Sequence, residues 1–334
     1  MLLPPKLTTG DTIAVFSPSA PATSTAVKRF QRGKKFLESE GFQIKEGILT
    51  GKQDYYRSGS IAERAEEFNL LIHDPKIRCI MSAIGGMNSN SILPYIDYES
   101  LTKNPKIIIG YSDVTALLLG IYAKTGLITF YGPAMVASFG EFPPFVDRTW
   151  EYFGHVVMGK SIFPYTLPTP SEWTDEFIDW ETQTRSKTTY PNQLITIQKG
   201  IAEGRLIGGN LNTMQGIWGS PFMPDINQGD ILLIEDSLLD AAAIERSFSL
   251  LKINGIFERI GGLILGKHEL FNDSGSGRKP YNILQEVMGE VDFPVLVQFD
   301  CCHTHPMLTM PIGCTVRLNS VNQTVAILES PVLR

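Results

Sequence analysis

The first 130 residues alternate short, almost wholly apolar runs with longer stretches in which apolar side chains recur every three or four positions. Runs too short for a helix and apolar on both faces suit strands covered on both sides, and the period between them suits the helices that cover them. Few architectures satisfy both: parallel strands joined by crossover helices, an α/β sheet. The clearest strands are Thr12-Ile-Ala-Val-Phe-Ser-Pro18, Ile77-Arg-Cys-Ile-Met-Ser82 and Lys106-Ile-Ile-Ile-Gly110, with shorter ones over 42–46 and 127–131. Helices are predicted over 24–40, 60–73 and 114–124. The second opens on Ser60 with Glu63 three positions on, the pattern of a capping box.

The alternation lapses between residues 159 and 192, where prolines and an acidic stretch containing tryptophan follow neither period. The chain therefore divides into an N-terminal α/β domain (1–160), a linker and substrate loop (161–192) and a C-terminal β-rich α+β domain (193–334). In the last, strands are expected over 194–198, 204–207, 230–234, 262–265, 295–298, 315–319 and 324–329, with helices over 241–252 and 281–288. A length of 334 residues accommodates two such units. The balance of 29 Lys and Arg against 35 Asp and Glu, a net charge of −6, argues against a nucleic-acid partner. No apolar run is long enough to span a membrane. Four cysteines, two of them adjacent, make no disulfide framework, which points to a reducing cytoplasm.

Chemistry concentrates at turns that follow strands. In Gly110-Tyr-Ser-Asp113 an isoleucine-rich strand runs into a helix, and a serine at such a turn can lift its hydroxyl clear of the sheet while the next N–H, that of Asp113, faces a developing oxyanion. Ser112 could equally cap the helix. The turn Gly85-Gly86 follows another parallel strand and could give a second oxyanion donor, with Gly86 the candidate, or be only a tight turn. A base for Ser112 is sought among the histidines of Asp300-Cys-Cys-His-Thr-His-Pro306. An acid candidate is Glu235, at the end of the apolar run Ile231-Leu-Leu-Ile234, where a buried charge needs a partner; equally, Asp236 or Ser237 could cap a helix with Glu235 merely salt-bridged. Cys301, His303 and His305 would share one face of a strand, but no second cluster at metal spacing exists, so neither metal nor cofactor is expected.

Together Gly85-Gly86, Gly110-Tyr-Ser-Asp113, Leu206-Ile-Gly-Gly-Asn-Leu211, Leu232-Leu-Ile-Glu-Asp236 and His303-Thr-His-Pro-Met-Leu-Thr-Met-Pro-Ile-Gly313 resemble the LD-carboxypeptidase family of serine peptidases, nearest its microcin C immunity subgroup. The resemblance implies an N-terminal parallel-sheet domain of flavodoxin or glutamine-amidotransferase type and a homodimer. It implies a triad of Ser112 as nucleophile, Glu235 as orienting acid and His303 as general base, with oxyanion donors at Gly86 and Asp113. Gly85, Asn210 and Trp180 are implied substrate contacts, Trp180 by stacking on a nucleobase, with Trp173 in reserve; packing alone would also account for Trp180. Two departures stand out: Cys302 where the family often has glycine, and His305 where an acidic residue is more usual. The implied substrate is a small peptide or peptidyl-nucleotide amide. The runner-up is a murein tetrapeptide, and a reading of another class is a non-catalytic small-ligand-binding protein.

Overall fold

The computed structural model describes residues 1–301 and 303–333; the expectation attached to Cys302 lies outside them. The strands of the first half are β1 (Thr12–Phe16), β2 (Gln43–Glu46), β3 (Ile77–Ser82), β4 (Ile107–Gly110) and β5 (Thr129–Tyr131), all mutually parallel in the order β5-β4-β3-β1-β2. Nearly every residue of β1, β3, β4 and β5 is buried, as their uninterrupted apolar character requires. The covering helices are α1 (Ala22–Thr25), α2 (Val27–Ser39), α3 (Ile61–His73), α4 (Tyr98–Lys103), α5 (Thr115–Thr125) and α6 (Phe145–Val157). The single helix expected over 24–40 is broken at Ala26, which leaves the helical region at φ −132° and ψ 55°. The capping box at Ser60 and Glu63 forms as its spacing predicts.

The second sheet contains β6 (Tyr165–Thr166), β9 (Ile195–Gln198), β10 (Ile201–Asn210), β11 (Ile231–Glu235), β12 (Gly262–Gly266), β13 (Val295–Phe299), β15 (Thr315–Asn319) and β16 (Thr324–Ile327). Its order is β6-β16-β15-β10-β11-β12-β13-β9. The centre, β10 to β13, is parallel and both flanks are antiparallel. Strand β10 serves both regimes: residues 201–205 pair antiparallel with β15 and residues 206–210 parallel with β11. Helices α7 (Leu211–Gln215), α8 (Ala241–Ile253) and α9 (Pro280–Met288) belong to this half, and β7 (Glu172–Trp173) and β8 (Tyr190–Pro191) form a hairpin in the segment between the sheets.

One strand crosses over. β14 (Met310–Ile312) leaves the C-terminal half and pairs antiparallel with β5, at the edge of the first sheet. Pro311 cannot donate to a ladder, and an edge is where a strand tolerates that. This crossing brings the polar segment before β14 against the first sheet, and the carboxyl ends of both sets of parallel strands converge on one cavity, the position at which open α/β sheets hold ligands.

Candidate active site

The cavity has a volume of about 430 Å³. Its first wall is backbone. β4 ends at Gly110, Tyr111 is extended, and Ser112 takes a φ of 62° before α5 begins. A non-glycine residue in the left-handed region is strained, and here the strain turns the serine off the sheet as a nucleophile elbow requires. The capping role left open for Ser112 is not taken up: neither the Ser112–Val114 turn nor α5 has a side-chain cap. Gly85 lies so close that a Cβ on it would sit 2.8 Å from Ser112 Cβ and 3.0 Å from both Ser112 Oγ and the Asp113 nitrogen. Gly86 adopts a φ of 144°, open to glycine alone. The turn is pinned from behind: Gly85 O accepts from Ala20 N at 3.0 Å, and Ser19 Oγ accepts from the N–H groups of Met87 and Asn88. Asp113 faces away from Ser112, its Oδ2 accepting from Asn88 N and Ser89 N at 2.9 Å each. Its N–H and that of Gly86, which also lines the cavity, have no backbone acceptor among the described residues.

The second wall is electrostatic. Glu235 ends β11 fully buried, and its Oε2 accepts from His303 Nδ1 at 2.7 Å. Its Oε1 accepts from Tyr131 Oη at 2.5 Å and from Asn210 Nδ2 at 3.1 Å. Burial pushes this carboxyl up, but the imidazole and the three hydrogen bonds outweigh it and hold Glu235 below the usual carboxylate range. For His303, burial opposes the charge while Glu235 favours it, and the balance is a pKa above the ordinary histidine value. With Nδ1 facing a carboxylate, the neutral ring keeps its proton there and leaves the Nε2 lone pair unprotonated. The Tyr111 ring holds the imidazole from the side, edge-on at 4.9 Å.

Tyr131 was not foreseen. It lies fully buried in β5, and its hydroxyl accepts from the Ser112 N–H at 3.3 Å while donating to Glu235, so one phenol joins the elbow to the acid. Nothing in Thr129-Phe-Tyr131 distinguishes it from an ordinary strand aromatic. Asn210 lines the cavity, with one end of its amide on Glu235 and the other capping α7 through Thr213 N. Asp236 also faces the cavity, its carboxyl pushed up to about 8 by burial and by the neighbouring Glu235 charge.

Trp180 lines the same cavity, with the Arg29 guanidinium 5.2 Å from its ring centroid. Trp173 lines a separate cavity of about 350 Å³ beside Lys267. His303 and His305 turn to different carboxylates: His305 Nε2 lies 3.8 Å from Glu141 Oε2, and burial next to Lys187 pushes its pKa well down, so it is neutral.

The arrangement can deliver a hydroxyl to a carbonyl, take up its proton and receive an oxyanion on two N–H groups. Comparison with known proteins gives the family. The LD-carboxypeptidase N-terminal domain profile matches residues 13–132 and the C-terminal domain profile residues 203–318. A Vibrio cholerae protein described as a candidate carboxypeptidase is 59% identical over 325 residues, 97% of each chain. The microcin C7 self-immunity protein of Escherichia coli is 56% identical over 330 residues, 98% of this chain and 96% of that one. A solved apo structure of microcin C7 self-immunity protein superposes with a TM-score of 0.97 at 54% identity, covering all of both chains. Other structures of that protein hold aspartyl sulfamoyl adenosine or, in a tryptophan-to-phenylalanine variant, adenosine monophosphate.

Proposed function

From the premise that the chain belongs to the LD-carboxypeptidase family, and is a carboxypeptidase by class, we propose that it cleaves the amide next to a terminal aminoacyl-nucleotide, a detoxifying hydrolysis. The observation that carries this reading is the 2.7 Å bond between Glu235 and His303 on the wall of the cavity that also holds the left-handed Ser112. Ser112 Oγ attacks the acyl carbon as His303 Nε2 takes its proton, and Glu235 steadies the imidazolium. The N–H groups of Gly86 and Asp113 receive the oxyanion. The C–N bond then breaks as His303 returns the proton to the leaving nitrogen. Water, deprotonated by His303, hydrolyses the ester at Ser112 and frees the acid.

Gly85, Asn210 and Trp180 border the substrate, and Trp180 stacks on the nucleobase. The nucleotide conjugates held by the microcin C7 self-immunity protein support that choice over a murein tetrapeptide. The reading includes a cytoplasmic homodimer, to be checked by sedimentation of the purified chain and by fractionation. Cys79 and Cys314 are free and buried, Cys301 is buried, and no described helix is long and apolar enough to cross a membrane.

The direct test compares the protein with its Ser112→Ala variant on a peptidyl-aspartyl sulfamoyl adenosine and on an L,D-tetrapeptide muropeptide. Cleavage of the first, reduced at least about 10³-fold in the variant, is expected. Cleavage of the muropeptide alone would move the protein to murein recycling, and cleavage of neither would leave a binding protein.

A further inference from the structure

Lys187 is buried to within 7% of complete, yet its side chain is part of the wall of the catalytic cavity. Among the described residues its Nζ meets one acceptor, Glu141 Oε2, at 3.5 Å. That carboxylate is already engaged. Arg29 Nη2 donates to Oε2 at 2.7 Å, and Gln183 Nε2 and the Phe142 N–H donate to Oε1 at 2.5 and 2.8 Å. Arg29 is engaged at all three nitrogens, its Nε on Val136 O, Nη2 also on Ala137 O and Nη1 on Gln183 Oε1. Two buried cations therefore share one buried carboxylate, and the worse-placed of the two is the one on the cavity.

The neighbouring groups do not close this deficit. Glu269 faces the same cavity but makes no ion pair within 4 Å among the described residues, and burial pushes its carboxyl toward the neutral acid. His305, on Lys187's side of the cavity, is neutral. Glu181 lies against Lys28, and Arg32 adds a further cation to the Glu141 cluster. A buried ammonium with three donors and one long contact is costly unless something else completes it.

We propose that a negatively charged group of the substrate completes it, making Lys187 the anion anchor of the cavity and a determinant of substrate choice. The proposal rests on the catalytic reading above for which substrates are meant. Trp180 packs on Arg29, Arg29 pairs with Glu141 and Glu141 meets Lys187, so the ring and the ammonium share one wall on which an aromatic group and an anion can settle together. The anion has two possible sources in an aminoacyl-nucleotide: the carboxylate of an acidic aminoacyl group, or the phosphoryl or sulfamoyl link to the nucleoside.

The experiment measures binding by calorimetry in the Ser112→Ala background, so it does not depend on turnover. Four probes are used: aspartyl and alanyl sulfamoyl adenosine, and the aspartyl and alanyl amides of 5′-amino-5′-deoxyadenosine, which lack the charged link. Lys187→Met should weaken the probes bearing the responsible charge at least tenfold and leave the alanyl amide within twofold, while Lys187→Arg retains most of the affinity. Loss confined to the sulfamoyl pair assigns the anion to the link; loss confined to the aspartyl pair assigns it to the side chain. Equal loss across all four probes, or no loss in any, overturns the proposal. Should Lys187→Met not fold, as judged by thermal unfolding, Lys187→Gln carries the same comparison. Absence of Ser112-dependent hydrolysis would overturn the catalytic reading and leave these affinities to be read as they stand.

Discussion

The two walls of the cavity are built on different principles. The wall from the first sheet works through backbone shape: a serine at φ 62°, a glycine at φ 144° and a second glycine whose missing Cβ makes room for Ser112. The wall from the second half works through charge, with Glu235 on His303, and a second charged cluster, Glu141 shared by Arg29 and Lys187, ties the first half to the linker. A shape wall is preorganised by local sequence and fails by steric contact. A charge wall is assembled from distant segments and fails by leaving a partner uncompensated.

The largest test of the contrast removes charge and keeps shape. Glu235→Gln should lower kcat on the order of 10³ to 10⁴-fold, because the amide no longer selects the Nδ1 tautomer or stabilises the imidazolium. In the parent protein kcat/KM should rise with pH as His303 loses its proton, with a midpoint above the ordinary histidine value near 6.5. In Glu235→Gln the residual activity should show that midpoint shifted down; an unshifted profile would refute the coupling. The stability term has the opposite sense. His303 binds its proton more tightly folded than unfolded, so its pairing stabilises most below the unfolded pKa and fades as pH rises through the folded one.

The complementary test adds one carbon and keeps every charge. Gly85→Ala should cost about 10² to 10³-fold in kcat, the range for loss of an oxyanion donor, as the new Cβ displaces Ser112 and the Asp113 N–H. Its pH midpoint should stay where it is, and a shifted midpoint would mean that the walls are not separable. The smallest effect falls on the residue that joins them. Tyr131→Phe removes one of the hydrogen bonds to Glu235 and the acceptor of the Ser112 N–H, for about a tenfold loss in kcat with KM little changed. Because Glu235 would then be less shared, the His303 midpoint should move up; a midpoint that stays put would argue that Tyr131 only fills space.

This contrast also explains what could be read from the chain. The elbow, the Gly85-Gly86 turn and Glu235 each sit directly after an apolar strand, so a strand-to-turn pattern exposes them within about seven residues. The partner of Glu235 could be narrowed to one short segment without the structure, and its choice within that segment came from family likeness. Tyr131, Glu141 and Lys187 carried no such signal. The first is camouflaged by its strand, and the other two lie in aperiodic segments whose juxtaposition depends on how the chain returns to the first half. The parallel centre of the second sheet is likewise hidden, because β11, β12 and β13, of 5 residues each, do not announce their direction.

The return itself sets a timetable. Ser112 is synthesised well before the strand that stitches His303 against the first sheet, Met310–Ile312. Until then Thr129–Tyr131 lacks its antiparallel neighbour and the nucleophile has no base. On the proposed reading, a chain that has not yet formed this strand lacks a complete site for amide hydrolysis.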